Sequence, residues 1–464
     1  MFNRSYFFLL VIFISLSACQ QPKEFDSPTY LGGQIINARA KSVILSFQEE
    51  IIDTLMLDAN QRFLKAIPVF EEGLYTFQHG NEFQYIFLEP GDSIMMRINT
   101  WDFDESLVYS GKGGMRNEYL IDLFIENEKE DSFLRNLYYL DSRDLKKEIE
   151  RLRVNKHQKL DNFLFESQET NNLYIRYARA AIDYPLYRKM EIYPLMKKSY
   201  LNLMDFPQVS DNFYDYRNNI ELNDPVLANF YTHRNYVMSY TYHLAYESNA
   251  NNPQVSVHSN LLNIVNDSID DPELKSNLMN SVLQDEFFSN ASLNLNRELI
   301  HTFMELSTDE EMKNQINLLI LDSEQVPNGG QLTDFDVMSY NYRPFDIKSI
   351  VANRNAVIYF WSETTLEPLK LARRIQLLQR KFPSILFIGI NIDGDGMDNL
   401  GPKTLAYSNK KYQFTLNKNS DAQSFTKSKY SRSILVNRRG NVLDNYGNIS
   451  SGQFEKSLKV LEKN

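Results

Sequence analysis

Residues 30–114 contain short apolar runs separated by polar turns, a pattern that is typical of β strands. The runs are Val43–Phe47, Ile51–Leu57, Leu74–Gln78, Tyr85–Leu88 and Ile94–Ile98. After the fourth run, Glu89-Pro90-Gly91-Asp92 places proline and glycine where a type II turn requires them. This alternation of strands and turns predicts an N-terminal antiparallel β-sandwich.

The periodicity changes at residue 115, and from there to residue 324 apolar residues recur at the spacing of amphipathic helices. In the first long helical stretch, Leu145, Ile149 and Leu152 share one face, and Asp141 or Ser142 can cap the start. Further helices are predicted at residues 172–188, 192–204, 226–248, 258–268, 272–287, 292–306 and 309–322, with breaks at Pro207, Pro225, Pro253 and Pro272. The pattern predicts an all-α middle domain at residues 115–324.

A linker that contains proline and two glycines, Gln325–Gly330, separates the helical region from a C-terminal region of mixed character. The pattern there predicts a buried strand at 356–361, a helix at 367–381 and a second buried strand at 385–392. A hairpin at 433–443 and a last helix at 451–462 follow. This order of elements is that of a thioredoxin fold, and it predicts an α/β domain over residues 325–464.

The start of the chain has the features of an export signal. Arg4 precedes an apolar stretch from Tyr6 to Leu16, which is too short to span a bilayer but fits a secretory signal. Ser17 and Ala18 then precede Cys19, and this run resembles the lipobox of bacterial lipoproteins. The resemblance implies that residues 1–18 are a removed signal peptide, that Cys19 is lipidated, and that residues 19–29 are a tether. An ordinary secretory signal with a chance cysteine is the alternative.

Composition limits the cellular location and the classes of partner that we expect for this protein. The 464-residue chain has a net charge of −11 at pH 7 and 43% hydrophobic residues, so it lacks the basic footprint that nucleic acids require. After the signal, no apolar run approaches membrane-spanning length. We therefore expect a lipid-anchored protein of the cell envelope, on the periplasmic or outer-membrane face, with no nucleic acid partner.

Two segments resemble a known family. Tyr359-Phe360-Trp361-Ser362 is similar to the Phe-Trp opening of the TlpA-like thioredoxins, and residues 30–114 resemble the small β domain of unknown function that often precedes them. The resemblance places the two redox cysteines of that family at Thr365 and Pro368, and its cis-proline at Ser431. All three positions have been replaced in this chain.

The replacements predict a loss of redox chemistry. A Cys-x-x-Cys pair works because one activated thiolate attacks a disulfide and the second resolves it, and Cys19 is the chain's one cysteine. We expect a redox-inactive domain without cofactor, and a protein- or peptide-binding or assembly role with an envelope partner instead of catalysis. The alternative is an accessory component of a thiol-disulfide or peroxide-defence oxidoreductase system. Ligand capture by the β or helical domain is a third option, but no specific polar pattern in the sequence supports it.

The remaining candidate residues are better explained by structural roles than by ligand binding. Thr364 or Thr365 can cap the following helix or hold an anion or a peptide carbonyl. A calcium-loop pattern fails because Pro402 stands where the closing glutamate is needed; its other members are Asn391, Asp393, Asp395 and Gly396. The six histidines show no metal-binding spacing, so no metal is expected. An aromatic cluster suits helix packing or a partner interface; it consists of Phe230, Tyr231, Tyr236, Tyr240, Tyr242 and Tyr246.

Overall fold

The computed structural model describes residues 28–463, except for residues 49, 69–70, 252–253, 289–290, 340, 363–367, 394–409, 417–419 and 429. The chain divides into two compact units, one that ends at Leu186 and one that begins at Tyr187. The predicted signal peptide, Cys19 and most of the predicted tether lie outside the described residues.

The first unit begins with eight strands in two four-stranded sheets. The strands are β1 (Thr29–Ile36), β2 (Ser42–Phe47), β3 (Glu50–Met56), β4 (Arg62–Ile67), β5 (Gly73–His79), β6 (Glu82–Leu88), β7 (Ser93–Asn99) and β8 (Val108–Lys112). The sheet orders are β4-β1-β7-β8 and β3-β2-β5-β6, and inward side chains such as Leu31, Val43, Phe77 and Ile94 form one core. Strands β1 and β7 pair in parallel, unlike the antiparallel arrangement expected from the sequence. The reason is that β2 to β6 intervene and form a long crossover, which returns the chain in the same direction.

The predicted turn at Glu89–Asp92 is confirmed, and it also organises a buried ion cluster. Gly91 has a φ of 83°, and the Asp92 N–H donates to the Glu89 carbonyl at 3.1 Å, as in a type II turn. Arg116, which is buried, forms ion pairs with Glu89 at 2.6 Å, with Glu169 at 3.2 Å and with Asp92. The turn is therefore held by charges that are distant in sequence.

The helices begin with α1 (Gly114–Leu134), α2 (Ser142–Ser167) and α3 (Asn172–Leu201). Asp141 caps α2 as the sequence suggests, since its side chain accepts from the N–H groups of the next turn. The prediction of separate helices at 172–188 and 192–204 is wrong, because α3 runs through both Pro185 and Pro194. Tyr184, Leu186, Met190 and Tyr193 of this stretch are buried. Their packing offsets the local cost of a proline inside a helix.

Five further helices and a seven-stranded sheet make up much of the second unit's described part. The helices are α4 (Tyr231–Asn251), α5 (Val257–Ser268), α6 (Pro272–Phe288), α7 (Arg297–Leu306) and α8 (Glu310–Glu324). No described helix of the chain is long and apolar enough to cross a membrane.

The sheet follows α8, in the order β10-β9-β13-β12-β11-β14-β15. Its elements are β9 (Asp336–Ser339), β10 (Pro344–Asp346), α9 (Ile347–Val351), β11 (Ala356–Trp361), α10 (Pro368–Lys381), β12 (Leu386–Asn391), β13 (Gln413–Leu416), β14 (Arg432–Val436), β15 (Val442–Gly447) and α11 (Phe454–Lys463).

The centre of this sheet has the connections that the sequence predicts. Strands β11 and β12 are parallel and joined through α10, and the antiparallel hairpin of β14 and β15 leads to α11. Alternate residues of β11 enter two different cores: Val357 and Tyr359 pack with α10 and α11, whereas Ile358 and Phe360 pack on the opposite face. Both faces are covered, as a largely apolar central strand requires.

Candidate functional site

The candidate site lies around the carboxyl end of β11, where the sequence resemblance puts the redox loop. Thr365 and the neighbouring Thr364 lie outside the described residues. Pro368 is the first residue of α10. A proline is favoured at this position because it needs no hydrogen-bond partner for an N–H, and it carries no nucleophile. The position at which the resemblance expects the second redox cysteine thus starts a helix.

The polar residues at the ends of β11 and β12 bond to one another. The Ser362 hydroxyl donates to Asp393 Oδ1 at 2.6 Å, and the Asp393 N–H donates to Asn391 Oδ1 at 3.1 Å. Two members of the failed calcium pattern therefore form a local turn, while Asp395, Gly396 and Pro402 lie outside the described residues. No group of three or more potential metal-binding side chains occurs among the described residues.

The loop before β14 contains Ser431, the predicted counterpart of the family's cis-proline. None of the peptide bonds between described residues is cis. The next residue, Arg432, is only 3% exposed, and it donates to the carbonyl groups of Asn445 at 2.7 Å and Phe425 at 2.5 Å. Burial lowers its pKa to about 10, and its guanidinium carbon lies 4.9 Å from the centre of the Tyr446 ring. The buried Arg432 side chain therefore stabilises the loop through hydrogen bonds on the loop's inner side.

The same loop is bonded to the helical part of the second unit. Asp322 of α8 is 1% exposed, and its two carboxylate oxygens accept from the N–H groups of Lys427 at 3.0 Å and Ser428 at 2.8 Å. Tyr430 packs against Phe288 of α6, with ring centres 4.9 Å apart. The loop ahead of β14 is thus hydrogen-bonded to α8 and packed against α6.

The outer edge of β15 is paired in a similar way. The Leu293 N–H donates to the Tyr446 carbonyl at 3.0 Å, and the Asn448 N–H donates to the Ala291 carbonyl at 2.8 Å. The Ser292 hydroxyl adds a 2.8 Å bond to Asp444. The sequence predicts that a helix begins at residue 292, but the segment 291–293 forms an extended bridge to this edge, and α7 begins only at Arg297. Pairing with a distant strand decided its conformation.

A second polar cluster, which the sequence did not reveal, lies among the helices. Glu191 of α3 is fully buried, and its carboxylate accepts from Arg217 at 2.5 and 2.9 Å, Tyr216 at 2.6 Å, Tyr236 at 3.1 Å and His243 Nδ1 at 2.9 Å. Burial alone would raise the pKa of Glu191, but the bonds from His243 and Arg217 outweigh it and lower the pKa. The sequence held no distinct signal for this cluster, because Arg188 and Lys189 shortly precede Glu191 and make it one charge among several in the helix.

This cluster borders a small cavity of about 60 Å³. Its apolar wall includes Phe206 and Val209, and its polar end includes Tyr214, His243 and Glu247. The hydroxyl of Tyr214 lies 3.4 Å from His243 Nε2. For the aromatic cluster seen in the sequence, the burial of Phe230 and Tyr236 agrees with the packing interpretation. The network ties α3 and α4 together around one carboxylate.

Comparisons with known proteins give likeness in fold only. No protein-family model matches the chain, and no curated protein matches it significantly. A thioredoxin-like protein from Bacteroides caccae is 14% identical, with a TM-score of 0.30, and the match covers 52% of this chain and 89% of that one. A thiol:disulfide interchange protein from a Bacteroides species is 13% identical, with a TM-score of 0.24, over 29% of this chain and 91% of that one. The thioredoxin domain of a thiol-disulfide oxidoreductase from Bacteroides vulgatus is also 13% identical, with a TM-score of 0.24, over 29% and 99% of the two chains. The solved structures that this chain resembles are thus thioredoxin-like, at low coverage and at identities that say nothing of activity or partner.

Proposed function

We propose that this protein is a membrane-anchored envelope lipoprotein whose thioredoxin-like domain is redox-inactive and serves a protein- or peptide-binding or assembly role. The observation that carries the proposal is the absence of any cysteine from residues 20–464 of the chain. Without a thiol, the position that begins α10 cannot form or exchange a disulfide. The domain keeps the hairpin and a sheet that is covered on both faces, but it holds no redox couple. Such a domain is suited to present a binding surface to a partner.

The surroundings of the former redox surface support the same proposal. Arg432 and Asp322 fill the region before β14 with fixed hydrogen bonds to the backbone. Hydrogen bonds of this kind between buried polar groups stabilise one conformation of a loop.

The proposal extends to the anchor and the domain layout. Cys19 is the proposed lipidation site after removal of residues 1–18, and residues 19–29 form the tether. Residues 30–114 are the proposed β-sandwich domain, residues 115–324 the helical domain and residues 325–464 the thioredoxin-like domain. The location is the cell envelope, on the periplasmic or outer-membrane face of a membrane.

An insulin-reduction assay tests the redox part of the proposal. We expect the purified protein to give no turbidity above the dithiothreitol background, while an ordinary thioredoxin in the same assay gives a strong signal. Activity that Thr365→Ala abolishes would contradict the proposal, because it would assign chemistry to a residue without sulfur.

Crosslinking in intact envelope membranes, followed by purification of the lipoprotein, tests the binding part. We expect a defined protein partner to be captured in stoichiometric amounts. Capture of a cysteine-bearing oxidoreductase would favour the accessory role in a redox system. Capture of no protein under conditions that crosslink a known envelope complex would refute a binding role.

A further inference from the structure

The two edges of the seven-stranded sheet differ in how they are covered. At one edge, β15 is bridged by Ser292 and its neighbours, and the loop before β14 is bonded to Asp322. At the other edge, β10 pairs with β9 alone among the described strands. An edge strand of this kind is accessible to a partner. A binding surface on this sheet therefore has to be sought beside β10.

A groove of about 670 Å³ lies beside that edge. It is lined by Ser339, Asn341, Arg343, Phe345, Ser349, Ile350, Arg354, Lys411, Tyr412 and Phe414. Its volume is within the range of sites that hold a drug-sized molecule or a short stretch of peptide. Five of these residues lie in β9, β10, α9 and β13, and the other five, which include all the cations of the lining, lie in the turns next to these elements.

The charge of the groove is opposite to that of the chain. Three cations line it, Arg343, Arg354 and Lys411, and the described lining contains no aspartate or glutamate. Asp346, the nearby carboxylate of β10, is used as the cap of α9, where it accepts from the Lys348 N–H at 2.8 Å. In a chain of net charge −11, a groove whose described lining has three cations and no carboxylate is a local reversal of sign.

Aromatic side chains hold two of the cations in place. Arg354 donates to the Tyr412 hydroxyl at 3.3 Å, and Lys411 Nζ lies 5.4 Å from the centre of the same ring. Phe345 is 42% exposed, and its ring meets Phe414 edge to face at 5.9 Å. Exposed aromatic and arginine side chains together are the composition that dominates the energetics of protein interfaces.

We propose that this groove is the docking site for an acidic, extended segment of a partner protein. The guanidinium group of Arg343 can match a carboxylate in a two-pronged geometry. Arg354, which donates to the Tyr412 hydroxyl and to the Ile350 carbonyl, adds a positive charge that is held in place, and Phe345 adds an exposed apolar face. A concave groove admits a chain and does not fit the flat surface of a bilayer. Pro344 lacks an N–H, so recognition depends on side chains more than on an added β strand. This inference rests on the binding role proposed above and names its surface and ligand chemistry.

Fluorescence anisotropy with labelled peptides tests the groove. The probes are short peptides of glutamate or aspartate alternating with leucine or phenylalanine, and the controls carry lysine in place of each acid. The test variant is Arg343→Glu with Arg354→Glu. The matched control is Lys459→Glu with Lys463→Glu, which makes the same charge change at exposed positions of α11. All four side chains are exposed, so circular dichroism should show folded protein in both variants.

We expect the acidic peptides to bind the wild type and the α11 control equally, and to bind less tightly as salt increases. The groove variant should lose about 10-fold or more in affinity. The proposed docking site would be overturned if both variants bound the acidic peptides equally, or if the lysine peptides bound as tightly as the acidic ones. A wild-type Kd weaker than about 1 mM for every acidic peptide would also overturn it.

Envelope crosslinking separates failure of the groove from failure of the binding role. A partner that is captured equally by the wild type and by the groove variant overturns the groove and leaves the binding role in place. A partner that the groove variant loses and the α11 control retains supports both. The absence of any captured partner for all three proteins overturns the binding role itself.

Discussion

Removing the Asp322 carboxylate is the sharpest test of the link between the helices and the loop before β14. In Asp322→Ala, the N–H groups of Lys427 and Ser428 lose their acceptor, and the Ser428 bond is fully buried. An unsatisfied buried donor costs about 1–3 kcal/mol, and a bond to a charged acceptor is at the upper end. Since water can reach the Lys427 N–H in part, we expect a loss of about 2–4 kcal/mol in the free energy of unfolding.

The chain offers a local optical probe for this measurement. It has two tryptophans, of which Trp361 is buried at the end of β11 and Trp101 is 66% exposed in the first unit. In a Trp101→Phe background, the fluorescence of Trp361 reports on the region around β11 alone during guanidinium denaturation. The midpoint shift multiplied by the slope gives the change in free energy.

Glu324→Ala is the matched control, because Glu324 lies two residues away on the same helix and is exposed. We expect it to change stability by less than about 0.5 kcal/mol. If Asp322→Ala and Glu324→Ala shift the Trp361 transition by the same amount, the carboxylate is not the link described above. Asp322→Asn should fall between the two, because an amide presents one acceptor and places a donor opposite the second N–H.

Two further changes test the packing of the second unit. The hydrogen bond to Asp285 raises the pKa of His258 above its ordinary value of 6.5, so the charged form stabilises the fold below that pH and the benefit is lost as pH rises through the folded pKa. His258→Gln should therefore cost about 0.2–1 kcal/mol near pH 6 and almost nothing near pH 9, and equal losses in urea titrations at both would refute the assignment. Gly389→Ala should cost about 1–3 kcal/mol, because a Cβ there would lie 2.2 Å from Gln413 Oε1. Gly452→Ala, which meets no atom within 4 Å, should leave the thermal midpoint unchanged, and an equal drop in both variants would contradict the packing argument.

Local sequence signals predicted the elements whose conformation depends on near neighbours. The Glu89–Asp92 turn formed as proline and glycine require, and Asp141 caps α2. The order β11, α10, β12, hairpin and α11 also followed from apolar runs and turn residues. Such features are determined within a few residues, so periodicity and turn chemistry are sufficient to find them.

The predictions from sequence were wrong where contacts with distant parts of the chain determine the local conformation. Helix α3 continues through Pro185 and Pro194, and residues 291–293 pair with β15 instead of starting a helix. Strand β7 lies parallel to β1, which no local pattern records. In each case the free energy of packing or strand pairing exceeds a local preference of the order of 1–3 kcal/mol.

The sequence by itself determined that residues 20–464 contain no cysteine, which is a matter of composition. It also supplied the prediction that Pro368 and Ser431 stand where the family resemblance expects redox-site residues. Only the tertiary structure brought Asp322 to the loop before β14 and assembled the cations of the β10 groove, because these residues are far apart in the chain. Chemistry that depends on residue type can be read from a sequence, whereas a surface exists only after the fold has placed its parts together.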